Sequence, residues 1–152
     1  MTDFDLIAKG MTQAVPFAGH LNLEVTEMSA GEATVVLPDL PELKNHVGSQ
    51  HAGALFTAAE TASGAAFVGA FLERMGDVVP LARSAEISYE KIANGPITAR
   101  GRLAMPAADA LATLDADGKV EFPCDIEMTD GDGTLVATAS VRWHVRLKDR
   151  SA

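Results

Sequence analysis

The sequence predicts an α+β domain in which one antiparallel sheet wraps a long central helix, and three observations carry that prediction. Residues 52–72 form an apolar run of helical length, built almost wholly of Ala, Gly, Phe, Leu and Val, with Glu60 as its one ionisable side chain. Beyond Gly76 the apolar period changes from 3.6 to 2. Antiparallel strands with one apolar face need a cover, and the 52–72 run is the segment apolar all round.

The elements follow in chain order. Phe4, Ile7, Met11, Ala14 and Val15 recur at helical spacing, with Thr2 or Asp3 as N-cap and Pro16 as the stop, so 3–15 reads as a short amphipathic helix. LNLEVTEM and GEATVVLP read as the strands of a hairpin joined at Ser29, Ala30 and Gly31. Pro38 to Gln50, with Pro38, Pro41, Asn45 and Gly48, is a loop leading into the central helix. Strands over about 79–92 and 96–105 flank an Asn94-Gly95 turn. In VEFPCDIEM, Val120, Phe122, Cys124, Ile126 and Met128 share one face opposite Glu121, Asp125 and Glu127. In TLVATASVRWHVRLK, Leu135, Ala137, Ala139, Val141, Trp143, Val145 and Leu147 are expected to face inward. TDGDG joins this last pair, and 104–118 reads as a weakly specified connection. Ala54, Ala58, Ala62, Ala65, Ala66, Gly69 and Ala70 would let the strands approach the helix closely.

Residues 1–152 read as a single domain, long enough to bury roughly 70% of the surface of its unfolded chain. Its 21 acids against 12 bases give a net charge of −9, which repels a phosphate backbone and argues against a nucleic-acid partner. Glu60 and its polar neighbours argue against a membrane span over 52–72. The acidic start, MTDFDLIAKGM, lacks the basic and apolar regions of a secretory signal, so a cytoplasmic location is expected. One cysteine, Cys124, excludes an internal disulfide and a Cys-based metal cage, and on the apolar face of its strand it reads as a core thiol. No nucleophile elbow, P-loop or dinucleotide glycine fingerprint is present. His46, His51 and Glu60 lack the spacing of a metal site, and neither a metal nor a cofactor is expected.

Asn45, the five residues HVGSQ, His51-Ala52-Gly53, ALFTAA and then Glu60 make a spaced motif, which with the element order resembles the hotdog-fold thioesterases, in particular the PaaI-type acyl-CoA thioesterases. Two positions depart from that family's pattern. Ala52 replaces the first Gly of a His-Gly-Gly triplet, where the backbone N–H is what the family uses, and Glu60 stands where the family often has Asp. The resemblance implies a hotdog fold and hydrolysis of an acyl-CoA thioester. It also implies a site at a subunit interface, in a homodimer or dimer of dimers, with the acid from one subunit and Asn45 and Ala52 from the other. A strand hydroxyl found in some members would fall near Ala82, and Ser84 is expected on the same strand face.

The residues suit that chemistry. An ionised carboxylate in an Ala-rich helix must be paired, hydrated or protonated, so Glu60 is either a solvent-facing residue or a tuned base or nucleophile. Thioester hydrolysis also needs donors for the oxygen that becomes anionic. The N–H groups of Ala52 and Gly53, at the positive end of the helix dipole, are candidates, and Gly53 permits close approach. Asn45 would orient water or bond the thioester, or else shape its loop; His51 would orient the site or cap its helix; His46 reads as structural or exposed. Nine residues of helix advance about 13 Å and turn about 900°, so Glu60 points away from His51. Ala52 lies about 12 Å from Glu60 by the same rise, so the two meet on one thioester only if two copies of the helix run antiparallel across a two-fold axis. Arg142, Arg146, Lys148 and Arg150, and Arg83, Lys91, Arg100 and Arg102, are two sets of bases for phosphates or for a solvated face. A hydratase or dehydratase on this fold, or a non-catalytic acyl-CoA binding module, are the rival readings.

Overall fold

In the computed structural model, which describes residues 3–149, the chain opens with α1 (Asp3–Ala14) and the short α2 (Pro16–His20). Thr2 and Arg150 lie outside the described residues. Pro16 separates the helices, because its ring cannot continue α1 while its fixed φ suits the first position of α2. A hairpin of β1 (Glu24–Ser29) and β2 (Glu32–Leu37) follows, turning through Gly31 at φ 91°. A loop containing a 3-10 turn at Pro41–Leu43 then delivers the chain to the central helix.

That helix, α3 (Ala52–Ala70), buries 12 of its 19 residues. It ends slightly short of the expected 72, where Phe71 caps it and a 3-10 turn, Leu72–Asp77, leads to β3 (Val78–Tyr89). Next come β4 (Ile97–Leu103), α4 (Ala107–Asp117), β5 (Lys119–Thr129) and β6 (Leu135–Leu147). The six strands form one antiparallel sheet in the order β1-β2-β4-β5-β6-β3. The expected alternation holds along β5, and along β6 from Val141 to Val145, but Leu135 is exposed while its neighbour Val136 is fully buried. A register shift between Met128 and Thr129 accounts for that flip.

Two features differ from the sequence reading. The segment taken as a weak connection contains the eleven-residue α4, which starts behind Pro106, ends at Gly118 with φ 75°, and buries Ala110 and Leu114. Its apolar stripe is too thin to stand out among so many alanines. Further, β3 and β4 flank Asn94-Gly95 but are not neighbours: β4 lies between β2 and β5, whereas among the described residues β3 pairs only with β6 and forms a sheet edge. Along β3, Val78 alone is buried.

Close backbone approach explains the small-residue core. A Cβ on Gly69 of α3 would stand 2.0 Å from the Ser29 carbonyl oxygen, and one on Gly101 of β4 would stand 2.9 Å from the Ala62 oxygen. Both obstacles are backbone and cannot swing aside. Gly69→Ala is therefore expected to cost about 3 kcal/mol by chemical denaturation, the upper end of overpacking penalties, while Gly76→Ala, with open space around its Cβ, should be near neutral.

Contacts with β5 and β6 help to fix the rotation of α3. Phe67 stacks on Trp143 at 5.5 Å, and Phe71 lies 5.7 Å from Phe122. Trp143 Nε1 donates to Ser63 Oγ at 3.1 Å, and Ser63 Oγ donates to the Glu60 carbonyl at 2.7 Å. The residues left partly or fully exposed are Ala52, Gly53, Phe56, Thr57, Glu60, Gly64 and Val68, a stripe along one side of the helix.

Candidate active site

Glu60 sits midway along that stripe, half-buried, and its carboxylate makes no hydrogen bond or ion pair with another described residue. Burial raises its pKa above the ordinary carboxylate value, since the charged form loses hydration without gaining a partner. A base with a raised pKa is the property proton abstraction requires.

The start of α3 is built by the preceding loop. Asn45 Oδ1 accepts from the N–H groups of Val47 and Ser49, each at 3.0 Å, and Asn45 Nδ2 donates to Ser49 Oγ at 2.8 Å. Within one chain, then, Asn45 shapes its own loop. Gln50, which drew no notice in the sequence, anchors that loop: its buried Nε2 donates to the carbonyls of Pro38 at 3.0 Å and Gly95 at 2.8 Å. Only the tertiary fold brings those carbonyls together, so no local pattern signals the role. His46 is exposed.

His51 is the N-cap of α3, and its Nδ1 accepts from Gly53 N–H at 2.8 Å. The neutral ring therefore carries its proton on Nε2, directed away from the cap. This corrects the expectation for Gly53: its N–H is occupied by the cap and is not an open donor. The Ala52 N–H has no acceptor among the described residues. Tyr89, on the helix-facing side of β3, reaches the same turn and donates its phenol to the Ala52 carbonyl at 3.0 Å.

A family profile described as a domain of unknown function, DUF4442, matches residues 5–145. The chain belongs to the DUF4442 family. Comparison with curated protein sequences finds no match. Among solved structures, this DUF4442 chain is similar to a Pseudomonas aeruginosa protein of unknown function described as a probable thioesterase, at 24% identity, 97% coverage of each chain and a TM-score of 0.85. It is also similar to a thioesterase family protein from Silicibacter pomeroyi, at 16% identity, covering 95% of this chain and 99% of that one, with a TM-score of 0.75. The PaaI protein from the phenylacetic acid degradation operon of Escherichia coli matches at 20% identity, over 95% of this chain and 99% of that one, with a TM-score of 0.69. These likenesses show that the DUF4442 chain has the hotdog fold.

Ser84, Cys124 and the basic residues of the DUF4442 chain lie outside α3 itself. Ser84 was expected on the face of Ala82, but a bulge at Arg83 shifts the register. Ala82 pairs with buried Trp143, whereas Ser84 pairs with exposed Arg142, on the outer face of the sheet. Two-residue alternation gives no warning of such an insertion. Cys124 is fully buried, donates to the Ser63 carbonyl at 3.8 Å, and has its pKa pushed up to about 12 by burial and by Asp125, which makes it inert. Of the bases, Arg83 pairs with Glu121, to which His144 Nδ1 is also bonded at 3.0 Å, and Arg102 pairs with Glu32. A groove of about 550 Å³ on the outer face, lined by residues such as Glu27, Arg100 and Asp125, lies on the opposite side of the sheet from Glu60. Among the described residues, no helix is long and apolar enough to cross a membrane, and no group of three or more His, Cys, Asp or Glu is placed to hold a metal.

Proposed function

We propose that this protein hydrolyses an acyl-CoA thioester as a homodimer, with Glu60 as general base and Ala52 N–H as the donor to the developing oxyanion. The observation that carries the reading is Glu60 itself, a half-buried carboxylate without a partner among the described residues and with a raised pKa, on the open stripe of an otherwise apolar helix. In this scheme Glu60 takes a proton from water as the oxygen attacks the thioester carbon. The carbonyl oxygen becomes anionic against Ala52 N–H, with His51 Nε2–H as a second donor, and collapse expels the CoA thiolate, which recovers the proton. Direct attack by Glu60 is the nucleophilic version of the same assignment.

The dimer is supported by two surfaces left open in one chain. Among the described residues, strand β3 has a partner on one side only, and the stripe on α3 lacks a cover. Pairing β3 with a second copy across a two-fold axis would continue the sheet and set the two α3 helices antiparallel, each Glu60 opposite the other chain's Ala52. Asn45 would then serve the site of the partner's Glu60.

Release of free thiol from a panel of acyl-CoAs tests the hydrolysis, since neither a binding module nor a hydratase yields it. Absence of thiol release across short, long, branched and aromatic acyl groups would sink the hydrolase reading. The shared site has its own test, in which Glu60→Ala and Asn45→Ala, each expected to be inactive, are unfolded and refolded together. Random pairing makes about half of the dimers mixed, with one intact site each, so roughly a quarter of wild-type activity should return. No recovery, with subunit exchange shown by differently tagged chains, would overturn the intersubunit arrangement.

A further inference from the structure

We propose that Tyr89 is a positioning residue for the oxyanion donor, clamping the first peptide of α3 from the strand that forms the free sheet edge. The proposal rests on the role of Ala52 N–H given above. The peptide unit joining Ala52 to Gly53 is held at both ends: its carbonyl accepts from the Tyr89 phenol at 3.0 Å, and its N–H donates to His51 Nδ1 at 2.8 Å. Because a peptide unit is planar, two bonds at opposite ends fix its orientation. The peptide before it is held through the His51 carbonyl, which accepts from Leu55 N–H at 3.0 Å. Ala52 N–H thus projects from a backbone pinned on both sides of its Cα, although it makes no bond of its own to a described residue.

This matters because the first turn of a helix lacks intrahelical partners for its N–H groups and frays easily, whereas a donor to a transition state must be aimed in advance. Two side chains supply the aim, from different places. His51 acts locally, as the cap. Tyr89 acts from β3, where it pairs with Ala137 and faces the helix, and burial raises its phenol pKa, so the hydroxyl stays a donor at neutral pH. The strand that would join the two subunits therefore also steadies the donor that works with the partner's acid, which links assembly to the geometry of the site. Tyr89 as a residue is 49% exposed, so the hydroxyl is not a core support and its loss should leave the fold intact.

Tyr89→Phe removes the hydroxyl and keeps the ring. In isotopically labelled protein, the Ala52 carbonyl carbon resonance should move upfield and Gly53 N–H should exchange faster, with the melting midpoint unchanged within a few degrees. On the best acyl-CoA from the panel, kcat should fall about tenfold with KM within about twofold, the pattern of a contact that matters in the transition state. An unmoved Ala52 resonance would show that no clamp exists. A shifted resonance with undiminished kcat, in a preparation where Glu60→Gln is inactive, would overturn the positioning role while leaving the hydrolase standing. Wild-type protein without turnover would overturn the hydrolase reading first, and the positioning role with it.

Discussion

Glu60→Gln is expected to lower hydrolysis at least about 100-fold, the usual cost of removing a general base, while leaving the fold unchanged because the side chains are nearly isosteric. Steady-state kinetics on the best acyl-CoA check this, and undiminished turnover would remove Glu60 from the mechanism. Two pH effects accompany the loss. In the wild type, kcat/KM should fall in acid through a value above the ordinary Glu range, because burial raises the pKa of the base. Stability carries the same signature: a carboxylate whose folded pKa exceeds its unfolded one contributes stability that is fully present below the unfolded pKa and lost as pH rises through the folded pKa. The Gln variant has no such loss. It should melt higher than the wild type at neutral pH, with the gap closing as the pH falls below the unfolded value. A gap of the opposite sign would mean that Glu60 is paired in solution.

The second large effect is at Ala52, where the backbone and not the side chain is held to act. Ala52→Pro should abolish turnover in a folded protein, and Ala52→Gly should be close to neutral. Proline fits this position for three reasons. It is tolerated in a first helical turn, the Ala52 N–H that it removes bonds to no described residue, and His51 already has the extended φ −65° and ψ 139° that a residue before proline requires. A circular dichroism spectrum matching the wild type would establish folding, and full activity in that preparation would dispose of the oxyanion role. Since His51 holds Gly53 N–H, that neighbouring amide is not free to replace the donor that is lost.

What could be read in the sequence divides along the range of the interactions. Repeating patterns were legible: the alternation of Val120 to Met128, the apolar helix around Glu60, and the Asn45, His51 and Glu60 spacing that pointed to the fold. Single events were not. One extra residue at Arg83 moved Ser84 to the outer face, and although a cap was one of the two readings of His51, the amide it takes up, Gly53, was not foreseen. Gly95 takes a positive φ of 72° where the Asn94-Gly95 turn was expected, yet a turn signal says nothing about which strand lies next in the sheet, and β3 went to the edge. Gln50 and Tyr89 were invisible for the same reason, as their partners lie far away in sequence: Pro38 and Gly95 for the first, Ala52 for the second.

The burial of Cys124 has a practical meaning for the motions of this fold. The chain carries no other thiol, and this one sits between the central helix and the sheet, so a thiol reagent can reach it only when those layers separate. Its modification rate under native conditions therefore measures how often the core opens, on a scale from local breathing to global unfolding. Any cysteine introduced at an exposed position will react far faster, which makes the chain a single-label scaffold as it stands. If β3 pairing holds the two layers together, that opening rate should fall as protein concentration rises, and the lone core thiol becomes a clock for assembly.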